Sequence, residues 1–578
     1  MTMKNNTKSS LEQIFLSLSK HPFLSVAGIC LLLFFFGFCQ QESFTDISYV
    51  YAGVVLCAAF ALLIVLGKLG RSMKEMIVIF LTAAVFTVVG LLLVWSYGNS
   101  PALILWLSLF ILAMIVALMR MTDTLSARNF IMIMIAAGII LRYAYCLYTT
   151  SLTRQHDVGT FDGNIGHAGY IVYWYTNGLK LPDFDVRTLW QYYQPPFHHW
   201  LMAAFLRLLT TCGMEYATAC EALQFLPFLY SSLITVVSYR IFRFVKLQGM
   251  PLVIAMAILC FHPTFVLMGG SFNNDILCVL LMLLSIMFAL RWYRKPTLLN
   301  ILPVALSVGL GMMTKLSGWM VAPAIAVIFL YVFFKNLKSW LKFIGQFMLF
   351  GVICAPMALW WQVRNLIAFK VPLTFVPRLS EDSAQYVGGI SALDRLFNFG
   401  GDQLSYVYDA FTDFGAPYNE FNPTMGLIKT SLYDEGRRGI SAINFPQIAT
   451  TGTILFWVGV VFALLCFVSF FVMMLRKDSG LDGVTRVVFS VFALTMLASY
   501  YLYGFQYPFT CSLNIRFCVP LIPLFAMGMG LLLQRFSGNS KPEKVLRYST
   551  YVIAAAFVVM TLIVYTQVSL PVPVTPAA

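Results

Sequence analysis

Fourteen long apolar runs constrain this chain more than any other feature. They lie at about 22–40, 47–67, 76–97, 101–119, 129–150, 222–239, 250–269, 275–290, 299–334, 341–361, 451–475, 487–505, 517–534 and 548–569. A spanning helix needs roughly 20 apolar residues, and most of these runs have that length. Only 11% of the residues are charged, against about 25% in an ordinary soluble domain. The chain therefore reads as an all-α polytopic membrane protein.

Charge placement orients it. A net charge of +14 invites a nucleic-acid reading, but the cations sit in short loops between runs. Lys68, Arg71 and Lys74 form one cluster, Arg240, Arg243 and Lys246 a second, and Arg291, Arg294 and Lys295 a third. The alternate turns, QESFTD, YGNS and GGSFNN, carry no Lys or Arg. This is the positive-inside pattern. It puts the N-terminus in the cytoplasm and Asp157 outside, and it leaves no role for nucleic acid. The run at 299–334 is basic at both ends, so it has to go out and return, turning at Thr314–Gly318 with Lys315 in the outer half. About fifteen membrane segments follow, with the C-terminus outside. The first run has no small-residue cleavage site, so no cleavable signal peptide is expected. The twelve cysteines lie mostly inside apolar runs, where Cys acts as a small hydrophobe. Cys511 and Cys518 flank an outer turn, a spacing that is no evidence for a disulfide.

Two outer segments are long. In 151–220, Gly166 to Gly178 reads as a short interfacial helix stopped by Asn177-Gly178. Pro195-Pro196 open a second one, whose Phe197, Leu201, Phe205, Leu208 and Leu209 share a face, as in a helix lying in the interface. The segment 362–450 holds many of the remaining charges and reads as an extracytoplasmic cap loop.

The chemistry-bearing residues collect at the outer rim. Arg154 to His199 contains four of the six histidines (His156, His167, His198, His199) and four aspartates (Asp157, Asp162, Asp183, Asp185). Asn274-Asp275 open a span, Lys315 sits at a half-buried turn, Arg364-Asn365 follow a span, and Arg516 precedes one. A carboxylate among cations suits transfer from an anionic leaving group: the carboxylate takes the acceptor's proton and the cations neutralise the departing phosphate. Each residue also has a simpler reading. Asp157 and Asp275 can cap helices, Lys315 can snorkel, Arg364 and Arg516 can meet headgroups, and His198-His199 can be solvated positions. No ligand spacing supports a metal site, so no cofactor is assigned and a divalent cation is not favoured. The alternative class is a transporter or flippase of a lipid-linked or small solute, which would keep its charges near mid-membrane.

The order of these elements resembles the GT-C superfamily of lipid-phosphate-sugar glycosyltransferases. It is most similar to the branch of protein O-mannosyltransferases and lipid A aminoarabinose transferases. The carriers of the resemblance are His156-Asp157 in the first outer loop, Tyr192–His198 with its Pro-Pro pair and Asn274-Asp275. Further along come GLGMMTKLSG at 309–318, Trp361-x-x-Arg364-Asn365 with Pro372-Leu373, and Arg516-Phe517 with Pro520. They cover about 128–535. The resemblance implies a GT-C-type helix bundle with extra N-terminal helices at 1–127. A catalytic core at 128–361 follows, with the 362–450 cap and C-terminal helices at 451–578. It implies an inverting transferase of the plasma or inner membrane, with its site on the extracytoplasmic side. Its partners would be a polyprenyl-phosphate-linked sugar donor and an extracytoplasmic acceptor (protein, polymer or glycolipid). Asp157 is then the base, with His156 and Asp275 beside it. Lys315, Arg364, Asn365, Arg516, Asn274, Asp162 and His198 bind substrate. Two departures stand out: no acidic residue flanks Asp157, which makes Asp162 the substitute base, and the family's soluble C-terminal domain is lacking.

The orientation is tested by cysteine scanning with an impermeant reagent. Positions near Gly163 and Ser383 should label from outside, and positions near Lys246 and Gly480 should not. Outside labelling at Lys246 would reverse the topology and the site with it.

Overall fold

The computed structural model describes residues 21–35, 88–89, 102–121, 125–150, 157–400, 404, 420–435 and 448–568. The runs expected at 47–67 and 76–97 lie almost wholly outside the described residues, as does His156. The described chain is helical throughout, with one isolated antiparallel bridge between Tyr386 and Phe509. Among the described residues, eight helices are long and apolar enough to cross a membrane, and five shorter apolar helices accompany them. The polytopic helical class read from the sequence holds.

Local chemistry sets the helix ends. Ser126, Thr297 and Asp482 cap the helices that follow them through side-chain oxygens that accept from Asn129, Asn300 and Thr485 backbone N–H groups. Each satisfies a donor the first turn would otherwise leave orphaned. The 299–334 run divides as expected. Leu298–Thr314 ends at Lys315, a 3-10 turn covers Leu316–Val321, and Ala322–Lys335 runs back. The turn is tight enough that a Cβ on Gly318 would lie 2.6 Å from the Gly311 carbonyl carbon, so only glycine fits there. Both helices expected in the first long loop also appear, as Gly166–Thr176 and Phe197–Thr211.

Three boundaries differ from expectation. Trp340–Phe369 continues past 361 and ends only at Lys370, which adopts a left-handed conformation at φ 56°. Nothing in Arg364–Phe369 breaks a helix, whereas Val371-Pro372 cannot continue one. The Phe197–Thr211 helix buries His198, His199, Met202, Ala203, Leu206 and Leu209. Leu208, expected with the apolar face, is 57% exposed. The helix therefore buries its histidines together with Met202, Leu206 and Leu209, packs Phe197, Leu201 and Phe205 against the core, and leaves Leu208 at the exposed edge. Third, the 250–269 run breaks. Gly249–Phe261 stops at His262, and Pro263–Leu267 adds one short turn.

That break explains a residue the sequence reading passed over. Pro263 has no N–H, so the Leu259 carbonyl loses its helical donor. Arg142, fully buried in Ala127–Tyr148, supplies one: Nη2 donates to Leu259 O at 2.8 Å and Nη1 to Cys260 O at 2.9 Å. Nη1 also donates to Gly138 O at 2.8 Å, and Nε to Ser231 Oγ at 2.9 Å. One guanidinium thus ties three helices together. A Cβ on Gly138 would lie 2.5 Å from Cys260 O, so the approach needs glycine.

The long loops of 370–400 and 420–435 are laid over one end of the bundle. Val387 N donates to Pro508 O at 2.8 Å, Thr510 N to Gln385 O at 3.0 Å, and Arg395 Nη2 to Gly504 O at 2.7 Å. The Pro423–Tyr433 helix, capped by Asn422, presses against 510–517, where Thr430 Oγ1 accepts from Ile515 N at 2.9 Å. Cys511 and Cys518 are free thiols.

Arg142→Met should lower unfolding stability in detergent by about 3 kcal/mol, since hydrogen bonds to a charged group are each worth roughly 1.5–3 kcal/mol and two carbonyls lose their donor. A thermal melt unchanged from wild type would remove Arg142 from the structural role.

Candidate active site

Six helical elements and the loops between them meet around one cavity of about 500 Å³. Its wall includes Asp157, His167, Tyr193, Gln194, Asn274, Asp275, Lys315, Asn365, Tyr500, Tyr503 and Arg516. The remaining wall is largely apolar, with Trp319, Leu373 and Leu502 among the exposed large side chains there.

Two ion pairs organise the polar end. Asp275 is the first residue of Asp275–Arg294, and Lys315 is the C-cap of Leu298–Thr314. Each charge complements the dipole of its own helix end. The Lys315 ammonium donates directly to the Asp275 carboxylate, both largely buried. Asn274 locks the same two helix ends: its Nδ2 donates to Thr314 O at 2.6 Å and to Gln194 Oε1 at 3.3 Å. The second pair comes from farther apart in sequence. Arg516 Nη1 donates to Asp157 Oδ2 at 2.8 Å, and Arg516 Nη2 lies 3.7 Å from Glu435 Oε1. Both cations flank one ring, with Lys315 Nζ 5.2 Å and the Arg516 guanidinium carbon 5.1 Å from the centroid of Phe517. Arg516 Nε and Asn274 Oδ1 are buried and lack a hydrogen-bond partner among the described residues.

Asp157 itself has φ 60°. That left-handed conformation is uncommon outside glycine, and Asp tolerates it better than most residues. Its carbonyl accepts from His167 N at 3.0 Å, which seats the loop on the Gly166–Thr176 helix. Gly159 at φ 70° and Gly166 at φ 76° complete that turn, and a Cβ on Gly159 would lie 1.9 Å from Ile165 O.

Three histidines back the site. His167 Nδ1 and His199 Nε2 share a hydrogen bond at 2.8 Å, and His198 Nε2 bonds to Phe272 O at 2.9 Å. All three are buried, which corrects the expectation that His198 and His199 are solvated. Burial pushes His167 down to about 3 and His198 down to about 4, and holds His199 well below its ordinary value.

The structure brings together Asp157, Asn274, Asp275, Lys315, Asn365 and Arg516 of the residues singled out from sequence. Of the other described residues singled out, Asp162, His198 and Arg364 do not line the cavity. Asp162 is exposed. His198 bonds to backbone behind the wall. Arg364 donates to Pro182 O at 2.5 Å, Phe184 O at 3.1 Å and Asn365 Oδ1 at 2.7 Å, and it stacks between Trp361 and Phe369. There it fastens the 182–184 loop to the Trp340–Phe369 helix. His167, Tyr193, Gln194 and Glu435 were missed as site residues. Tyr193 and Gln194 stand inside the Pro-Pro motif and carried a usable signal. Glu435 is one acid among many in its loop and carried none. Among the described residues, no group of three His, Cys, Asp or Glu side chains could hold a metal ion.

The three neutral imidazoles make stability fall in mild acid. In the unfolded chain they take protons below about 6.5; in the folded chain His198 resists down to about 4 and His167 down to about 3, and burial holds His199 well below its ordinary value. Their contribution is intact above about 6.5 and is lost as pH drops toward 4, by at most about 1.4 kcal/mol per pH unit for each imidazole. The melting temperature in detergent should therefore drop between about pH 7 and pH 5. A flat profile across that window would contradict the burial of uncharged histidines.

Residues 193–361 match the model of the family described as dolichyl-phosphate-mannose-protein mannosyltransferase. No curated relative matches by sequence. Among solved structures, ArnT from Cupriavidus metallidurans bound to undecaprenyl phosphate is similar at 13% identity, with a TM-score of 0.42 and 76% of each chain covered. The oligosaccharyltransferase AglB from Archaeoglobus fulgidus, in complex with an inhibitory peptide and a dolichol-phosphate, is similar at 15% identity and a TM-score of 0.40. That alignment covers 76% of this chain and 56% of AglB. The resemblance read from the motifs therefore holds over 193–361, the stretch from the Pro-Pro loop to Trp361 that carries Asn274, Asp275 and Lys315.

Proposed function

We propose that this chain is an integral-membrane glycosyltransferase that takes a sugar from a polyprenyl-phosphate donor and passes it to a hydroxyl acceptor on the extracytoplasmic side. The observation that carries the reading is the pair of buried cations, Lys315 and Arg516, each held by a carboxylate in one cavity with an apolar flank. The family match over 193–361 supports it.

Such a cavity can serve a displacement at an anomeric carbon. The acceptor oxygen attacks that carbon while its proton goes to Asp157. The bond from the carbon to the phosphate oxygen breaks, and the sugar passes through an oxocarbenium-like state. The electron pair leaves with the phosphate, whose charge Lys315 and Arg516 stabilise. One attack from the face opposite the phosphate inverts the anomeric centre. Arg516 has a second role. While it donates to Asp157, the carboxylate is a weak base. A donor phosphate that draws the guanidinium toward itself raises the basicity of Asp157, so the base is armed only when donor is bound. Glu435 keeps Arg516 in place during that exchange, and Asp275 does the same for Lys315. Arg364 acts one step back, by fastening the 182–184 loop, while Asn365 stands on the cavity wall itself.

A transporter needs mid-membrane charge open to exchange. Arg142 is the buried cation inside a described span, and its donors are committed to backbone carbonyls and Ser231, so it favours the enzyme reading.

Asp157→Asn should stay folded and lose turnover by roughly 10²–10⁴-fold, the usual worth of a positioned general base. Normal turnover in that variant, with Asp162→Asn inactive, would move the role to Asp162. Lys315→Met and Lys315→Gln should lose donor affinity and rate together, while Lys315→Arg keeps part of both, because charge rather than shape is needed. A Lys315→Met protein with wild-type donor binding would leave the phosphate to Arg516.

A further inference from the structure

A second polar cavity lies at the opposite end of the bundle. It encloses about 470 Å³ between the C-terminal ends of Phe225–Phe244 and Asp275–Arg294, and its wall carries Arg240, Arg243, Arg291 and Arg294. An adjoining space of about 350 Å³ shares Arg243 and adds Arg128. None of the residues lining either space is acidic. The floor is apolar, with Ile241, Met287 and Phe288.

Positive-inside topology accounts for basic residues near these helix ends. It does not account for five guanidinium groups lining two adjoining hollows with no acidic side chain beside them among the described residues. The contrast at the same end of the molecule is direct. Tyr293 bonds to Asp482, and just before that residue Arg476 and Arg535 share the Asp478 carboxylate. Those cations are neutralised by the chain itself. Within the hollow, Arg294 donates to Phe244 O at 2.8 Å and stacks 3.5 Å from the Phe244 ring, while Arg243 donates to Leu247 O at 3.0 Å. Arg240 and Arg291 hold no hydrogen bond or ion pair among the described residues. Arg240 lies over the Phe23 ring at 5.4 Å, so two arginines are held by hydrogen bonds and two keep their N–H donors available among the described residues.

We infer that this hollow binds the phosphate headgroup of an anionic phospholipid, in the leaflet opposite the catalytic cavity. Guanidinium groups recognise phosphate oxygens in bidentate fashion, and basic pockets between spanning helices suit acidic lipid headgroups. The apolar floor receives the first part of the acyl chains. Position supports the assignment. Asp275 lines the catalytic cavity and Arg291 lines the hollow, on one helix. At 1.5 Å per residue they lie roughly 25 Å apart along it, close to the roughly 30 Å of a hydrocarbon core. The two phosphate sites would then face opposite leaflets and are independent of each other.

The test uses the full chain reconstituted in phosphatidylcholine nanodiscs containing spin-labelled phosphatidylglycerol, with the relative association constant of the label read by electron spin resonance. Each charge-assisted hydrogen bond from a guanidinium to a phosphate oxygen is worth roughly tenfold or more in association, so Arg240→Gln with Arg291→Gln should weaken it by roughly 100-fold. Arg240→Lys with Arg291→Lys should restore most of it. Lys338→Gln with Lys342→Gln removes the same charge outside the hollow and should change it little. Equal association in the arginine-to-glutamine pair and wild type would overturn the site. Equal loss in the lysine control would reduce it to general surface charge and overturn it as well. Displacement of the label by inorganic phosphate as effectively as by unlabelled phosphatidylglycerol would make it a soluble-anion site and overturn the lipid assignment.

Discussion

A lysine ammonium inside an apolar run is costly, on the order of 2.5–3.5 kcal/mol on insertion scales, and Lys315 is held there by Asp275. Much of the outer architecture follows from that contact. The carboxylate begins one helix, where the dipole favours a negative charge, and the ammonium ends the next, where it favours a positive one. Asn274 adds a hydrogen bond to Thr314 O, so two antiparallel spans are fastened at one corner. The close approach of Gly311 and Gly318 lets the chain fold back there without displacing the lysine. Removing either charge would leave the other buried and unpaired, the more damaging outcome for an ion pair out of water.

The second pair is assembled from distant pieces. Arg516 comes from a 3-10 turn near the end of the chain, Asp157 from the first outer loop, and Glu435 from the end of the Pro423–Tyr433 helix. Asn514 anchors this arrangement by donating to Glu435 at 2.7 Å while its side-chain oxygen accepts from Arg516 N at 2.8 Å. The left-handed backbone at Asp157 brings its carboxylate to the cavity at a local conformational cost. The site thus exists only once the bundle and its outer loops have come together, and its two cations face a common ring.

Much of this was legible in the sequence, for physical reasons. Apolar length announces spanning helices, so the polytopic class and the division of 299–334 at Lys315 could be read directly. Chemistry concentrated at one rim pointed to Asp157, Asp275, Lys315 and Arg516. What escaped reading depended on partners far away in the chain. Arg142 was passed over because its role depends on a carbonyl freed by Pro263. Arg364 carried a motif but not its direction, and its donors turn to backbone carbonyls. The buried histidines of Phe197–Thr211 defeated a helical-wheel argument, since periodicity gives two faces and does not say which one meets protein. Glu435 stood among many loop acids, and only the fold selects it.

The central claim is that the phosphate of a lipid-linked sugar sits between Lys315 and Arg516, with the sugar presented to Asp157. A structure of the full chain bound to polyprenyl phosphate tests this most directly, through the position of the phosphorus atom. The account predicts phosphate oxygens within hydrogen-bond reach, about 3 Å, of Lys315 Nζ and of the Arg516 guanidinium, with Asp157 released from its present contact. A phosphate bound instead at Arg364, with both ion pairs intact, would contradict it.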